Sequence, residues 1–275
     1  MNLTGKTVLV TGATSGLGLH LAEELAGRGA TLLLHGRDAG RLDALCRRLG
    51  DRHGGRAHPY AADLSSMAEV RDLAARVAGE WPRLDVLINN AGVGPGPEGA
   101  ERELSRDGHE LRFAVGYLAP YELTRLLLPV LRRSGAGRVV NVGSAAQAEI
   151  DLEDLDMSGF YHNWAAYGRA KLALASFTVD LAAETADDGL LVNCVHPADL
   201  MPTALVAETG LAPASTLEEG ADAVLRLVTA PAAEIGTGGY FHGTGKAEPH
   251  DDVRDPGRRA ALRQATERLL APAPR

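Results

Sequence analysis

Short runs of consecutive apolar residues, each handing over to a helical repeat, set the limits on what this chain can fold into. Thr7–Thr11 is such a run, followed by glycines and then by Leu17, Leu21 and Leu25, spaced for one face of a helix. The alternation returns at Thr31–His35 with a helix from Arg41, at Ala57–Ala61 with Met67–Ala78, and at Leu84–Ile88, Arg138–Val142 and Leu190–Val195. Strands that face solvent on one side alternate apolar with polar residues. These do not, so they are expected to be buried on both faces of a parallel sheet. Right-handed crossovers then put helices on either side, giving an α/β fold with a doubly wound parallel sheet. One more short strand is expected at Gly239–His242, and long helices at Asp107–Arg133 and Trp164–Ala186.

A chain of 275 residues can bury one large core, and no linker or repeat divides it, so residues 1–275 are read as a single domain. Two irregular stretches, 145–163 and 198–213, follow strands and belong at the carboxyl edge of the sheet, where open α/β folds bind ligands. They are expected to act as a substrate loop and a lid, with a helical tail over 254–270. In that tail Arg254, Arg258, Arg259, Arg263 and Arg268 read as a solvated helix face, since acidic and apolar residues interrupt them.

The formal charge of −8 at pH 7 argues against nucleic acid or an anionic membrane as partner, because either needs clustered positive charge. No apolar run approaches the ~18 residues that span a bilayer, and Met1–Lys6 carries no charged-then-apolar leader, so a cytoplasmic, membrane-free chain is expected. Cys46 and Cys194 are the only cysteines, too few for a disulfide framework and without metal-ligand spacing. His242, His250, Asp251 and Asp252 also lack such spacing, His196 reads as a packed imidazole, and no metal is expected.

Gly12, Gly16 and Gly18 lie in Thr11-Gly12-Ala13-Thr14-Ser15-Gly16-Leu17-Gly18, between the first strand and the first helix. Glycines there allow a tight turn, the approach of a pyrophosphate to the helix N-terminus, and close helix–strand packing. The Gly-x3-Gly-x-Gly spacing alone fits a turn capping a buried helix equally well; its place after the first strand favours dinucleotide binding. The second strand ends in His35-Gly36-Arg37-Asp38, about 20 residues on, where a ribose would arrive. An acidic residue would select NAD, whereas the Arg37 guanidinium suits the 2′-phosphate of NADP(H). Asp38 reads as the N-cap of the following helix.

Tyr167 and Lys171 stand four residues apart, hence on one helix face. A lysine ammonium beside a phenol favours the phenolate and makes the hydroxyl usable as proton donor and acceptor. Only three lysines occur among 28 basic residues, which makes Lys171 conspicuous. With the glycine turn and Arg37, the pair gives the chain a specific likeness: it resembles the short-chain dehydrogenase/reductase family along nearly its whole length. Asn89-Asn90-Ala91-Gly92 matches that family's Asn-Asn-Ala-Gly motif, and Ser144 stands where the family has its catalytic serine. The long segment between Ser144 and Tyr167 and the run His196-Pro197-Ala198-Asp199-Leu200-Met201-Pro202-Thr203 look most like a retinol-dehydrogenase-like bacterial subset.

The resemblance implies a Rossmann fold, NADP(H) as cofactor and a carbonyl or alcohol as substrate. It assigns Ser144, Tyr167 and Lys171 to catalysis. Gly12, Thr14, Ser15, Gly16, Leu17, Gly18, Arg37, Asp63, Leu64, Asn90, Ala91, Gly92, Pro197 and Thr203, with Tyr167 and Lys171, are assigned to the cofactor. Asn90 could equally be a clasp between strands, and Asp63 a helix cap. The pattern departs at Gly116, where the family has an asparagine whose backbone carbonyl continues the lysine's proton relay. Pro120, four residues on, has no N–H to donate to the Gly116 carbonyl, so that carbonyl is expected to stay available for the relay water in a bent helix, which places Gly116 in the catalytic set. Ala198 departs where the family commonly has glycine.

Ile150, Phe160, Tyr161, Trp164, Leu200 and Met201 are expected as apolar walls of a pocket for a ketone or secondary alcohol on a cyclic, polyketide-like skeleton. The residues also leave open a non-redox enzyme, such as a cyclase, dehydratase or epimerase, and a non-catalytic cofactor-binding protein. A homodimer is expected, and the two long helices could supply the four-helix interface common in the family.

Overall fold

The computed structural model describes residues 2–54 and 56–271. One sheet carries strands β1 (Thr7–Val10), β2 (Thr31–Gly36), β3 (Ala57–Ala61), β4 (Val86–Asn89), β5 (Arg138–Val142), β6 (Leu191–His196), β7 (Tyr240–His242) and β8 (Gly245–Ala247). Their order is β3-β2-β1-β4-β5-β6-β7-β8, parallel as far as β7. Chain order reverses at β1, which pairs β2 on one side and β4 on the other, opening the crevice in which doubly wound folds bind ligands.

Helices α1 (Gly16–Gly27), α2 (Ala39–His53) and α3 (Met67–Glu80) follow the first three strands. α4 (Leu111–Phe113), a π-helical turn (Ala114–Leu118) and α5 (Ala119–Arg132) run on as one bent helix, and α6 spans Asn163–Glu184. After β6 come α7 (Ala204–Ala207), α8 (Leu217–Thr229), α9 (Ala232–Ile235), α10 (Asp251–Arg254) and α11 (Pro256–Leu270). None of the helices among the described residues is long and apolar enough to cross a membrane.

The unbroken apolar strands do bury both faces. In β1, Leu9 joins one core with α3, α5 and α6, while Val8 and Val10 join the other with α1, α2 and α8. β3 is the exception: it forms the sheet edge, only Tyr60 of its five residues is fully buried, and Pro59 brings no N–H to the ladder. The other end of the sheet also differs from the expected purely parallel sheet. Gly243 turns the chain at φ 57°, and β8 returns antiparallel on β7.

The helix expected from Asp107 begins at Leu111. Residues 104–110 instead form a tight turn through Gly108 at φ 86°, and the Asp107 carboxylate accepts the Met67 N–H at the start of α3. The tail arginines are not a solvated face throughout. Arg259 and Arg263 each donate to the Asp180 carboxylate on α6 at 2.7 Å, and Arg258 reaches the Ile150 carbonyl at 3.1 Å. Leu262 joins the core beneath them, and Thr266 bonds the buried Tyr117 hydroxyl at 2.8 Å.

Candidate active site

A cleft of about 800 Å³ runs along the carboxyl edge of the sheet, from the glycine turn and Arg37 past Asn90 to Ser144, Tyr167 and Lys171, under the 198–209 segment. At its first end the backbone makes the site. Gly12 and Gly16 have φ of 67° and 50°, and a Cβ on Gly18 would lie 2.1 Å from the Gly12 carbonyl oxygen. The Asn90 side chain acts as a clasp, donating to the Thr11 carbonyl at 2.8 Å.

His35 pins the same turn from beneath. Its Nδ1 accepts from the Gly12 N–H at 3.3 Å and its Nε2 lies 3.0 Å from the Ala62 carbonyl, so the network assigns the proton to Nε2. Burial pushes this imidazole down from 6.5 to about 4, which keeps it in that neutral form.

These features fit a dinucleotide. The α1 N-terminus has no side-chain cap on Ser15 and no acidic residue in its first turn, which leaves its N–H groups and positive dipole end for a pyrophosphate. Arg37 is exposed at the end of β2, while Asp38 turns away to accept the Arg41 N–H as the N-cap of α2. Arg41, which sequence reasoning did not single out, bonds the Thr14 carbonyl at 2.9 Å and steadies the same corner. Burial works to raise the Asp63 carboxyl, but the Ser65 N–H, Arg106 and Arg37 outweigh it and hold its pKa below the usual value. Leu64, Ala91 and Gly92 line the cleft beside it.

At the second end Ser144, Tyr167 and Lys171 are all buried along one wall. Gly168 lets the chain after β5 press against α6, because a Cβ there would meet Ala148 at 2.9 Å. Lys171 Nζ donates to the Val142 carbonyl at 2.9 Å and lies 5.6 Å from the Tyr167 ring centre. Gly92 faces that ammonium with no side chain between. Gly116 sits in the π-helical turn: the Ala119 N–H reaches back five residues to the Ala114 carbonyl, and Pro120 has no N–H to offer Gly116. A Cβ at 116 would lie 3.3 Å from Ala170, so glycine admits α6 closely here.

Thr203 caps α7 and rests on the glycine turn, its Cγ2 3.0 Å from where a Gly16 Cβ would stand. Pro197 also lines the cleft. Leu205 packs onto Gly94, which brings the segment after β6 against the opposite wall of the cleft.

The walls differ from those expected. Trp164, Leu200 and Met201 line the cleft, but Ile150 is buried in the core and Phe160 is 80% exposed outside it. Tyr161 instead donates to Glu110 at 3.3 Å. The opposite wall is one that sequence reasoning missed, Val93-Gly94-Pro95-Gly96-Pro97 with Leu111, Arg112 and Val115.

A buried ion pair holds that wall. Arg112 and Glu110 are 2% and 1% exposed and meet at 3.3 Å, and Arg112 also donates to the Gly94 and Pro95 carbonyls and to Glu103. Asn163 adds bonds to the Pro95 and Pro97 carbonyls at 3.0 and 2.7 Å. The alternating glycines and prolines of residues 94–97 are the one local signal of this wall, and nothing local names its partners.

The family model described as short chain dehydrogenase matches residues 6–213. The chain is 37% identical over 213 residues to retinol dehydrogenase 13 of Homo sapiens; the match covers 76% of this chain and only 63% of that longer protein. It is 32% identical over 275 residues to a protein of Streptomyces sp. (strain C5) provisionally named as a daunorubicin C-13 ketoreductase, covering 96% and 92% of the two chains. Among solved structures, the Pseudomonas aeruginosa RhlG/NADP active-site complex aligns with a TM-score of 0.70 at 29% identity, over 88% of this chain and 95% of that one.

Proposed function

The chain belongs to the short-chain dehydrogenase/reductase family, and on that premise we propose that it moves a hydride between NADP(H) and a bulky, apolar ketone or secondary alcohol. The observation that carries this reading is the buried set Ser144, Tyr167 and Lys171 on one wall of a cleft whose far end is a glycine turn flanked by Arg37. A nicotinamide bound there supplies or takes up the hydride at the carbinol carbon.

In the reducing direction the Tyr167 hydroxyl gives its proton to the substrate oxygen while the Ser144 hydroxyl donates a hydrogen bond to the same oxygen. Lys171 would hold the ribose with the N–H groups not engaged by Val142. The Gly116 carbonyl, to which Pro120 has no N–H to donate, would extend the proton path from Lys171 through a water. Arg37 would pair with a 2′-phosphate, and Thr203 with Pro197 would meet the carboxamide end. The name of the Pseudomonas complex supports NADP, and that of the Streptomyces relative supports ketoreduction of a polyketide-like skeleton. The retinol dehydrogenase matches support the retinol-dehydrogenase-like subset. For a homodimer through α5 and α6, α11 would be part of the interface, since it lies across Tyr117 and Asp180.

The test is nicotinamide absorbance with NADPH and NADH against a panel of polycyclic and aryl ketones. NADPH oxidation is expected in the wild type, with a fall of at least about a hundredfold in Tyr167→Phe. Equal rates in the two proteins would remove Tyr167 from the reaction, and product formed without cofactor oxidation would point to the non-redox class.

A further inference from the structure

Three ligating side chains converge where β6 and β7 end, at the rim of the cleft. The parallel register sets His196 beside His242, and their rings meet edge to face, 4.6 Å between centres at 81°. Past Pro197 the chain turns back, so that Asp199 Oδ1 lies 3.0 Å from His196 Nε2 and Oδ2 lies 4.0 Å from His242 Nε2. The three donor atoms fall within 4.8 Å of one another, and no other such trio of histidine, cysteine or carboxylate groups occurs among the described residues. Both backbones are tied down nearby. The Gly243 N–H donates to the His196 carbonyl at 2.8 Å, the Ala214 N–H to the Leu200 carbonyl at 3.0 Å, and the Ser215 hydroxyl to the Asp199 carbonyl.

We propose that His196, Asp199 and His242 bind one divalent transition-metal cation of the zinc or cobalt type, outside the hydride-transfer machinery. Two imidazoles and a carboxylate are the donor set such borderline ions favour, with water completing the shell. The sheet supplies the preorganisation: strand pairing fixes both histidines, and buried His196 is the rigid anchor. Asp199 and His242 are 65% and 52% exposed, so both can move without disturbing the core. Ligand atoms around a four-coordinate ion stand about 3.3 Å apart, so these two side chains close by roughly an ångström. His196 then carries its proton on Nδ1, leaving the Nε2 lone pair for the metal, and the carboxylate exchanges its hydrogen bond for a bond to the ion.

Sequence spacing could not reveal the trio, because one ligand comes from a different strand 46 positions after His196. Occupancy would tie the segment between His196 and Thr203, part of the cleft lining, to the neighbouring strand β7. It would also bring two positive charges to a chain of formal charge −8.

Titrating Co²⁺ into the untagged full-length chain tests the site through the visible d–d band, with no substrate or cofactor present. One saturating equivalent is expected, displaced by Zn²⁺, with a rise in the thermal midpoint. His242→Ala and Asp199→Asn should each weaken binding by at least about tenfold, while far-ultraviolet circular dichroism stays unchanged. His250→Gln, at a histidine outside the trio, should bind as the wild type does. Absence of a saturable band in the wild type, equal affinity in the His242→Ala and Asp199→Asn proteins, or an equal loss in His250→Gln would each overturn the proposal.

Discussion

At the glycine-turn end of the cleft, Gly12, Gly16 and Gly18 sit within one turn of chain, and the geometry comes from backbone that tolerates no side chain. The substrate end is assembled from distant pieces: the 93–97 loop is held by Arg112, which is held in turn by Glu110 and Glu103, while Asn163 reaches the same loop from α6. One end depends on what the chain omits and the other on buried charge. The first therefore resists substitution through steric exclusion, the second through electrostatic pairing. If the two ends are separately held, damage to one should leave the other's ligand largely untouched.

Arg112→Ala should have the largest effect, because it strands a carboxylate that is 1% exposed; losing one partner of a buried pair costs about 3–5 kcal/mol. Urea unfolding should register that loss, and NADPH affinity of the folded fraction should stay within about twofold of wild type. A matching fall in cofactor affinity would break the separation.

Next comes acid sensitivity at the glycine end. The His35 pKa is depressed on folding from 6.5 to about 4, so the unfolded chain takes up a proton more readily. The stability this group contributes is complete above pH 6.5 and is lost as pH falls towards 4, by on the order of 3 kcal/mol at 1.36 kcal/mol per unit. His35→Gln should flatten the stability profile across that window, and an unchanged slope would assign acid lability to other groups.

The smallest effect is expected for Gly18→Ala. Its Cβ would lie 2.1 Å from the Gly12 carbonyl oxygen, and relieving such overpacking costs about 1–3 kcal/mol. NADPH fluorescence titration should show binding weakened by up to about a hundredfold, with the Arg112 side of the cleft still intact by thermal unfolding. Unchanged binding would mean that the turn has room that the geometry denies.

The same contrast explains how much was legible in the sequence. The strands, the glycine turn, the Asp38 cap and the one-face placement of Tyr167 and Lys171 all follow from residues within a turn or two of one another. Edge position was not legible in that way: Ala57–Ala61 read as a buried strand although Pro59 already marked it as peripheral, and β8, which returns on the expected Gly239–His242 strand, lay in too short a run to register. Phe160 and Tyr161 looked like pocket walls because aromatic residues are scarce. Whether such a side chain faces a cleft, solvent or a buried glutamate depends on contacts about 50 residues away, such as Tyr161 with Glu110. The tail arginines misled for the converse reason: their partner, Asp180, lies on a helix about 80 positions earlier.

That clamp bears on the order in which the molecule can be finished. α11 is synthesised well over a hundred residues after the π-helical turn, yet it covers Tyr117 and bonds its hydroxyl through Thr266. Burial pushes the Tyr117 phenol far above its ordinary value, so this is a neutral contact, sealed by Arg259 and Arg263 on Asp180. During translation the glycine turn can form while the first strands leave the ribosome, but the bent helix carrying Gly116 stays uncovered on its outer side until α11 arrives. Nascent chains halted before Pro256 should therefore hold a folded cofactor crevice beside a protease-sensitive α5, which limited proteolysis of stalled chains would detect.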